Sequence, residues 1–222
     1  MFLILLLSAC YFIHFTNDMY AKQIKKVVLI AGGQGSTTSR TIGDYYESGL
    51  TLAFCNALSE AIKEKNNTII VTIVKAATFN KSRAFCLAED INKKNPHLAI
   101  HVGLYAQPEE VPCIHFFYYG HGYDPVIKNN TTTLPKFISL REAHIINSKK
   151  TYAAVTHAAK AIEPYVREGL YMMLPPKKVP FFPLKGILPS SFACEIGIEK
   201  PNDWKKLVHD IADTFIAACM DV

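Results

Sequence analysis

Several familiar signals are missing from this chain, and each absence removes a class of function. Its six cysteines, at positions 10, 55, 86, 113, 194 and 219, form no C-x-x-C pair and no finger-like spacing, which argues against a structural zinc knot. Neither G-x-G-x-x-G nor the lysine and Ser/Thr of a P-loop occurs, so the turn Gly32-Gly33-Gln34-Gly35-Ser36 lacks the marks of a nucleotide site. The formal charge is only +5, with lysines in scattered pairs such as Lys25-Lys26 and Lys205-Lys206 and no long basic stripe, which argues against a nucleic-acid partner. That charge is compatible with a weak attraction to anionic polymers, a membrane surface or a cell wall. No linker and no internal repeat divides the 222 residues, half of which are apolar, so the sequence predicts one domain with a sizeable core. Cys55, Cys86, Cys194 and Cys219 lie among apolar residues and read as small buried hydrophobes, and no histidine stands in a set relation to Cys194 that would make it a nucleophile.

The amino terminus is different in character. Met1 to Phe15 is almost entirely apolar but shorter than the roughly 20 residues of a membrane-spanning helix, which fits the core of a secretory signal. Within it Leu7-Ser8-Ala9-Cys10 resembles the lipobox of bacterial lipoproteins, although no Lys or Arg precedes the run and only nine residues precede Cys10. The expectation is a signal or lipoprotein signal with a short spacer over residues 1–22, then a single domain over 23–222. Export to the periplasm or cell envelope follows, with Cys10 as a lipid anchor if the lipobox is read.

From Val27 onward, apolar runs alternate with amphipathic ones. Val27 to Ala31 is a β-branched run that breaks into the glycine turn, as the first strand of an α/β sheet does. Ser36 to Tyr46 is polar and irregular, and Glu47 then opens a stretch with Leu50, Phe54, Ala57, Leu58, Ala61 and Ile62 at helical spacing. Thr68 to Val74 reads as a second strand, parallel to the first through a right-handed crossover. Ser82 is placed to cap a helix that runs through Asn92, and Leu98 to Val102 and residues 111 to 119 read as further strands. A surface excursion is expected from Asn129 to Pro135, and a helix from Leu140 to Tyr165. Prolines and lysines between Pro175 and Pro189 predict a loop with a short strand at Gly186-Ile187-Leu188, leading into a strand at Phe192 to Ile198. Asp203 to Met220 is an amphipathic helix with Trp204, Leu207, Ile211 and Phe215 on one stripe. The pattern predicts a three-layer α/β fold, a mostly parallel twisted sheet with helices on both faces.

Four polar residues stand at strand ends or helix starts: Gln34, Glu47, His101 and Glu195. Singly, each has a plain explanation. His101 can be a hydrogen-bonded core residue, and Glu47 can complement a helix dipole. Glu195, between Cys194 and Ile196, is costly to bury unless it is paired or bound to a cation.

Together, in order and context, they resemble the zinc-dependent N-acetylmuramoyl-L-alanine amidases of the AmiC and CwlV type. That family ends its first strand in D-P-G-H-G-G, with the histidine on zinc, where this chain has A-G-G-Q-G-S from Ala31 to Ser36. Its second ligand, a glutamate before the next helix, is matched by Glu47 in Y-Y-E-S-G-L-T-L. Its S-I-H-A-N strand, with the third ligand, is matched by A-I-H-V-G with His101, and its V-E-L-G-F strand, with the catalytic glutamate, by C-E-I-G-I with Glu195. Arg83, in N-K-S-R-A-F, resembles an arginine of the helix before the histidine strand and reads as structural. The likeness runs from about Val27 to the end of the chain.

The resemblance implies the amidase fold, a Zn2+ cofactor held by Glu47, His101 and the residue at position 34, and Glu195 as general base and acid. The implied reaction is hydrolysis of the amide between N-acetylmuramic acid and L-alanine in peptidoglycan by zinc-activated water, in a protein read as a monomer. Gln34 stands where the first zinc histidine is expected, and Ala31 where the motif's aspartate is. An amide oxygen is a far poorer zinc ligand than imidazole, so weak or absent zinc binding is expected. Three resolutions are open: Gln34 ligates through its oxygen, His115 or His121 completes the shell, or the site is dead. The alternative function is an inactive amidase-fold domain that binds peptidoglycan or regulates envelope enzymes. Tyr118, Tyr119 and Tyr123 could stack on sugar faces or simply pack.

Overall fold

The computed structural model describes residues 24–33, 40–76, 81–120 and 143–220. The apolar amino terminus with Cys10, Gln34, His121, Tyr123 and the excursion at Asn129 to Pro135 lie outside the described residues, as does the side chain of Arg83. Eight strands are described: β1 (Lys25–Ala31), β2 (Thr41–Ile42), β3 (Tyr45–Tyr46), β4 (Ile69–Lys75), β5 (Leu98–Ala106), β6 (Cys113–Tyr119), β7 (Met172–Val179) and β8 (Ser190–Ile198). The helices are α1 (Glu47–Lys65), α2 (Lys81–Lys94), a single turn α3 (Ala143–Ile146), α4 (Ser148–Arg167) and α5 (Trp204–Met220), with a 3-10 turn at Phe182–Leu184.

Six strands form one sheet in the order β4-β1-β5-β8-β6-β7. Every neighbouring pair is parallel except β8 with β6. The predicted three-layer, mostly parallel α/β fold is therefore observed. Central strands β1, β5 and β8 are buried almost throughout, which is why their sequences are continuous apolar runs, whereas edge strands β4 and β7 alternate or are exposed.

Strand parity divides the core in two. Val27, Leu29 and Ala31 of β1, Leu98 to Leu104 at alternate positions of β5, and Phe192, Cys194 and Ile196 of β8 point to one face, where they pack with α1, α4 and α5. Val28, Ile30, Ala99 and Ala193 point to the other, against Leu87, Ala88 and Ile91 of α2 and Leu184 of the 3-10 turn. The first connection of β1 leads to β4 on one side and the chain then returns to β5 on the other. The strand order thus reverses between β1 and β5, and that crevice at the carboxyl ends is where open α/β sheets place ligands.

Several expected boundaries are corrected. Met172–Val179, whose second half was expected as part of the loop from Pro175, form the edge strand β7, and no strand lies at Gly186-Ile187-Leu188. Pro175 and Pro176 are accommodated because β7 pairs on one side only, with a register irregularity against β6 between His115 and Phe117. Ser82 lies inside α2 rather than capping it, and the helix continues past Asn92 to Lys94. It ends at Asn95, with φ of 45° in the left-handed region that asparagine tolerates. The expected long helix is broken into α3 and α4, and α4 runs past Pro164 to Arg167.

The first core is tied by aromatic contacts. Phe192 is fully buried and meets Phe116 and Phe215 edge-on, with ring centroids 6.0 and 6.2 Å apart. Replacing it leaves a cavity between Phe116 of β6 and Phe215 of α5. Phe192→Ala is expected to cost about 3–5 kcal/mol. Urea unfolding checks this: the midpoint should fall with an unchanged slope, and a loss below about 1 kcal/mol would mean the site collapses freely.

Candidate active site

The second face of the sheet changes character along its strands. Toward their amino ends, Val28, Ile30, Ala99 and Ala193 are apolar, while toward the carboxyl ends of β5 and β8 the same face carries His101, Gly103, Tyr105 and Glu195. Register then decides who meets whom. Gly103 pairs with Glu195, and on the other side Glu195 is opposite His115 of antiparallel β6. Because position 103 has no side chain, the Glu195 carboxyl lies over it, and both its oxygens would clash with a Cβ there. That placement leaves Glu195 Oε1 3.2 Å from His101 Nδ1, although the imidazole nitrogen is not aligned for a hydrogen bond. The His101 ring in turn covers Gly32 at the end of β1, where an added Cβ would come within 2.7 Å of Cε1, and it meets Phe181 edge-on at 5.2 Å.

Glu47 reaches the same place from the other side of the crevice. Thr41 pairs with Tyr46 and Ile42 with Tyr45, and the two-residue Gly43-Asp44 turn has φ of 56° at Gly43, as a type II′ hairpin requires. Continuing that ladder sets Arg40 opposite Glu47, and the Glu47 amide donates to the Arg40 carbonyl at 2.9 Å. The side chains then pair: Arg40 Nε donates to Glu47 Oε2 at 2.8 Å and Nη2 to Oε1 at 2.9 Å. Nη2 also lies 3.9 Å from Glu195 Oε2. Glu47 is 2% exposed although it opens a helix, and its carboxyl packs against Gly33. Hydrogen bonding to Glu47 raises the Arg40 pKa above its ordinary value against the opposing effect of burial, and the charges of Glu47 and Glu195 add to the rise.

Three of the four residues singled out in the sequence, Glu47, His101 and Glu195, are thus brought to one crevice at the carboxyl edge. Arg40, which bridges two of them, was not anticipated. Its only signal was its place opposite Glu47 across a Gly-Asp turn. Among the described residues, no three His, Cys, Asp or Glu side chains are grouped to hold a metal ion. His115 does not complete a shell around Glu47 and His101, since its Nε2 faces Cys113 Sγ at 3.0 Å. Burial, helped by Lys177, lowers the His115 pKa, burial raises that of the Cys113 thiol, and Tyr105 beside them is pushed up to about 12. The pair is an uncharged thiol and imidazole at neutral pH, unlike the thiolate of an activated nucleophile. Among the described residues, the donors therefore do not fit a zinc ion: both oxygens of Glu47 are engaged by Arg40.

The cysteines need one correction. Cys55, Cys194 and Cys219 are buried as expected, but Cys86 is exposed, while Leu87, Ala88 and Ile91 of α2 turn inward. Tyr119 is buried and Tyr118 is half-buried against Tyr152, so both pack.

Two outcomes follow. Gly103→Ala should unfold within about 1 kcal/mol of the parent, because the group it meets is the end of a side chain, yet it should drive Glu195 away from His101. The imidazole resonances of His101 would report this, and unmoved resonances would contradict the packing. Of the five cysteines described, Cys86 and Cys113 should react with an aromatic disulfide in the native state, Cys113 more slowly and increasingly as pH rises, since burial holds it protonated. Burial pushes Cys55 up to about 12 and holds Cys194 well above the ordinary thiol range, so both should wait for denaturant, as should Cys219.

No family model matches the chain, and no curated protein matches it by sequence. Solved structures do. The apo N-acetylmuramyl-L-alanine amidase Ami1 from Mycobacterium abscessus superposes with a TM-score of 0.58 at 11% identity, covering 88% of this chain and 97% of that one. AmiC2 of Nostoc punctiforme gives 0.56 at 13% identity, over 88% and 95%. The catalytic domain of CwlV from Bacillus (Paenibacillus) polymyxa var. colistinus gives 0.54 at 12%, over 87% and 95%. The structural neighbours of this chain are N-acetylmuramoyl-L-alanine amidases, and the chain has their fold.

Proposed function

We propose that this chain is a peptidoglycan-directed, amidase-fold protein of the bacterial cell envelope that binds the glycopeptide at the carboxyl edge of its sheet and does not hydrolyse it with zinc. The fold supports the substrate class, because the neighbours are named for the amide between N-acetylmuramic acid and L-alanine. One observation carries the choice of binding over hydrolysis. The carboxylate at the place of the second zinc ligand is committed through both oxygens to Arg40. Gln34 at the place of the first zinc histidine supports the same reading.

The hydrolytic reading has its own support in Glu195, which stands beside His101 as the general base and acid of a zinc-water mechanism would. It would require Glu47, His101 and Gln34 or another donor to gather a metal, and the described donors do not. In the proposed role, Glu195 offers acceptors, and the N–H groups of Arg40 that Glu47 does not engage offer donors along the crevice. Such groups orient the amides and carboxylate of a stem peptide. The apolar amino terminus supports export, with Cys10 as the candidate lipid anchor and the domain acting as a monomer.

Co-sedimentation of the full chain with purified sacculi tests this. The chain should pellet with sacculi at neutral pH and release no soluble stem peptide, with or without added zinc. Release of stem peptide that vanishes in Glu195→Gln would overturn the binding reading in favour of zinc hydrolysis. Failure to pellet would remove peptidoglycan as the ligand.

A further inference from the structure

We infer that Arg40 is the permanent cation of this site, a guanidinium built into the chain where an amidase of the resembled type would hold a metal ion. This deepens the proposed non-hydrolytic role by saying what holds the site together, and it does not depend on the ligand being peptidoglycan.

Four observations carry the inference. The first is that Arg40 is delivered by backbone register: the β2–β3 hairpin sets it opposite Glu47, fixed by the Glu47 amide to Arg40 carbonyl bond of 2.9 Å. Its side chain is 59% exposed along its length, yet the guanidinium ends against a carboxylate whose side chain is 3% exposed. The second is the fork: Nε and Nη2 take one Glu47 oxygen each, at 2.8 and 2.9 Å, the bidentate geometry in which each oxygen already accepts a charge-assisted hydrogen bond and a second cation would have to compete with the first. The third is that the same Nη2 reaches toward Glu195, at 3.9 Å, so one positive group faces both carboxylates of the crevice. The fourth is the donor set, in which no metal-binding group of three is found among the described residues.

Chemically, the exchange is not neutral. A guanidinium supplies one positive charge and only N–H donors, with no empty orbital for a water or a carbonyl oxygen. It can neutralise and orient carboxylates and can hydrogen-bond a ligand oxygen. It cannot lower the pKa of a bound water by coordination, as a divalent ion does. The crevice therefore assembles without a metal and keeps its acceptors ordered for binding. A metal entering at Glu47 would have to displace a paired, partly buried guanidinium first.

Zinc binding by the full chain, in the parent and in Arg40→Ala, tests the inference by equilibrium dialysis and elemental analysis. The parent should stay substoichiometric in zinc, and its melting temperature should not respond to either zinc or a chelator. Arg40→Ala should bind zinc more tightly than the parent by on the order of tenfold to a hundredfold, and Arg40→Ala with Gln34→His more tightly again. Stoichiometric zinc in the parent, or a melting temperature that rises with zinc and saturates, would overturn the inference, and this second measurement stands even if Arg40→Ala does not fold. A folded Arg40→Ala whose zinc affinity equals the parent's would overturn it too. Failure to bind sacculi by a zinc-free parent would refute the peptidoglycan reading and leave this one intact.

Discussion

A carboxylate taken out of water must be met by a cation or by enough hydrogen-bond donors, and the crevice of this protein depends on how that need is answered at Glu47. The residue opens α1, where the helix dipole favours a negative charge, but a dipole at the first turn contributes only about 0.3–1 kcal/mol, too little to hold a group that is 2% exposed. The remainder comes from Arg40. Because Arg40 is itself substantially exposed, the net contribution of the pair to stability is modest after screening, and its effect is mainly geometric. With Glu47 fixed, the hairpin is tied to the start of α1. The guanidinium is then aimed across the crevice at Glu195, which is held from below by the bare backbone of Gly103.

The sheet explains why Glu195 and His101 could meet at all. Parallel pairing of β5 and β8 puts Ala193 level with His101 and Gly103 level with Glu195, so the two polar side chains are staggered on one face instead of colliding. Alternation of side chains sends Cys194 and Ile196 into the opposite core, which is why a glutamate is tolerated in so apolar a strand: it is polar on the one face that has opened into a crevice. The same parity accounts for the inert character of Cys194. One step along the chain from Glu195, it is fully buried against Phe192's side of the sheet.

Much of this was legible in the sequence, for reasons that can be stated residue by residue. The central strands announced themselves because burial on both faces demands unbroken apolar runs, and Glu47, His101 and Glu195 stood out as polar residues at the ends of those runs. The edge strand β7 was not legible, since its signal is only the absence of a second neighbour, which lets Pro175 and Pro176 occupy a strand where composition suggests a loop. Arg40 was not legible either. Its importance arises from a hairpin of two residue pairs, too short to show period-2 alternation, whose register nonetheless decides that this arginine faces Glu47. The outward turn of Cys86 was hidden for a similar reason: an apolar neighbourhood in sequence does not say which side of a helix a residue takes.

The contrast between a metal and a guanidinium also bears on what sequence resemblance can transfer. The motifs matched here place carboxylates and an imidazole around a cation, and the fold follows because that placement is a property of the sheet. The identity of the cation is a property of its donors. Gln34 in place of a histidine weakens the soft, nitrogen-rich side of a zinc shell, and Arg40 satisfies the carboxylate side with charge and N–H groups. Under the proposed reading the two features act in the same direction: the glutamine takes the place of one expected ligand, and Arg40 engages the carboxylate of another. A chain with only the glutamine would leave Glu47 buried and in need of a positive partner, and a chain with only the arginine would set guanidinium and metal in competition for one carboxylate. Having both, the chain answers the charge of Glu47 from within its own fold, which is the step by which the proposed site dispenses with an acquired ion.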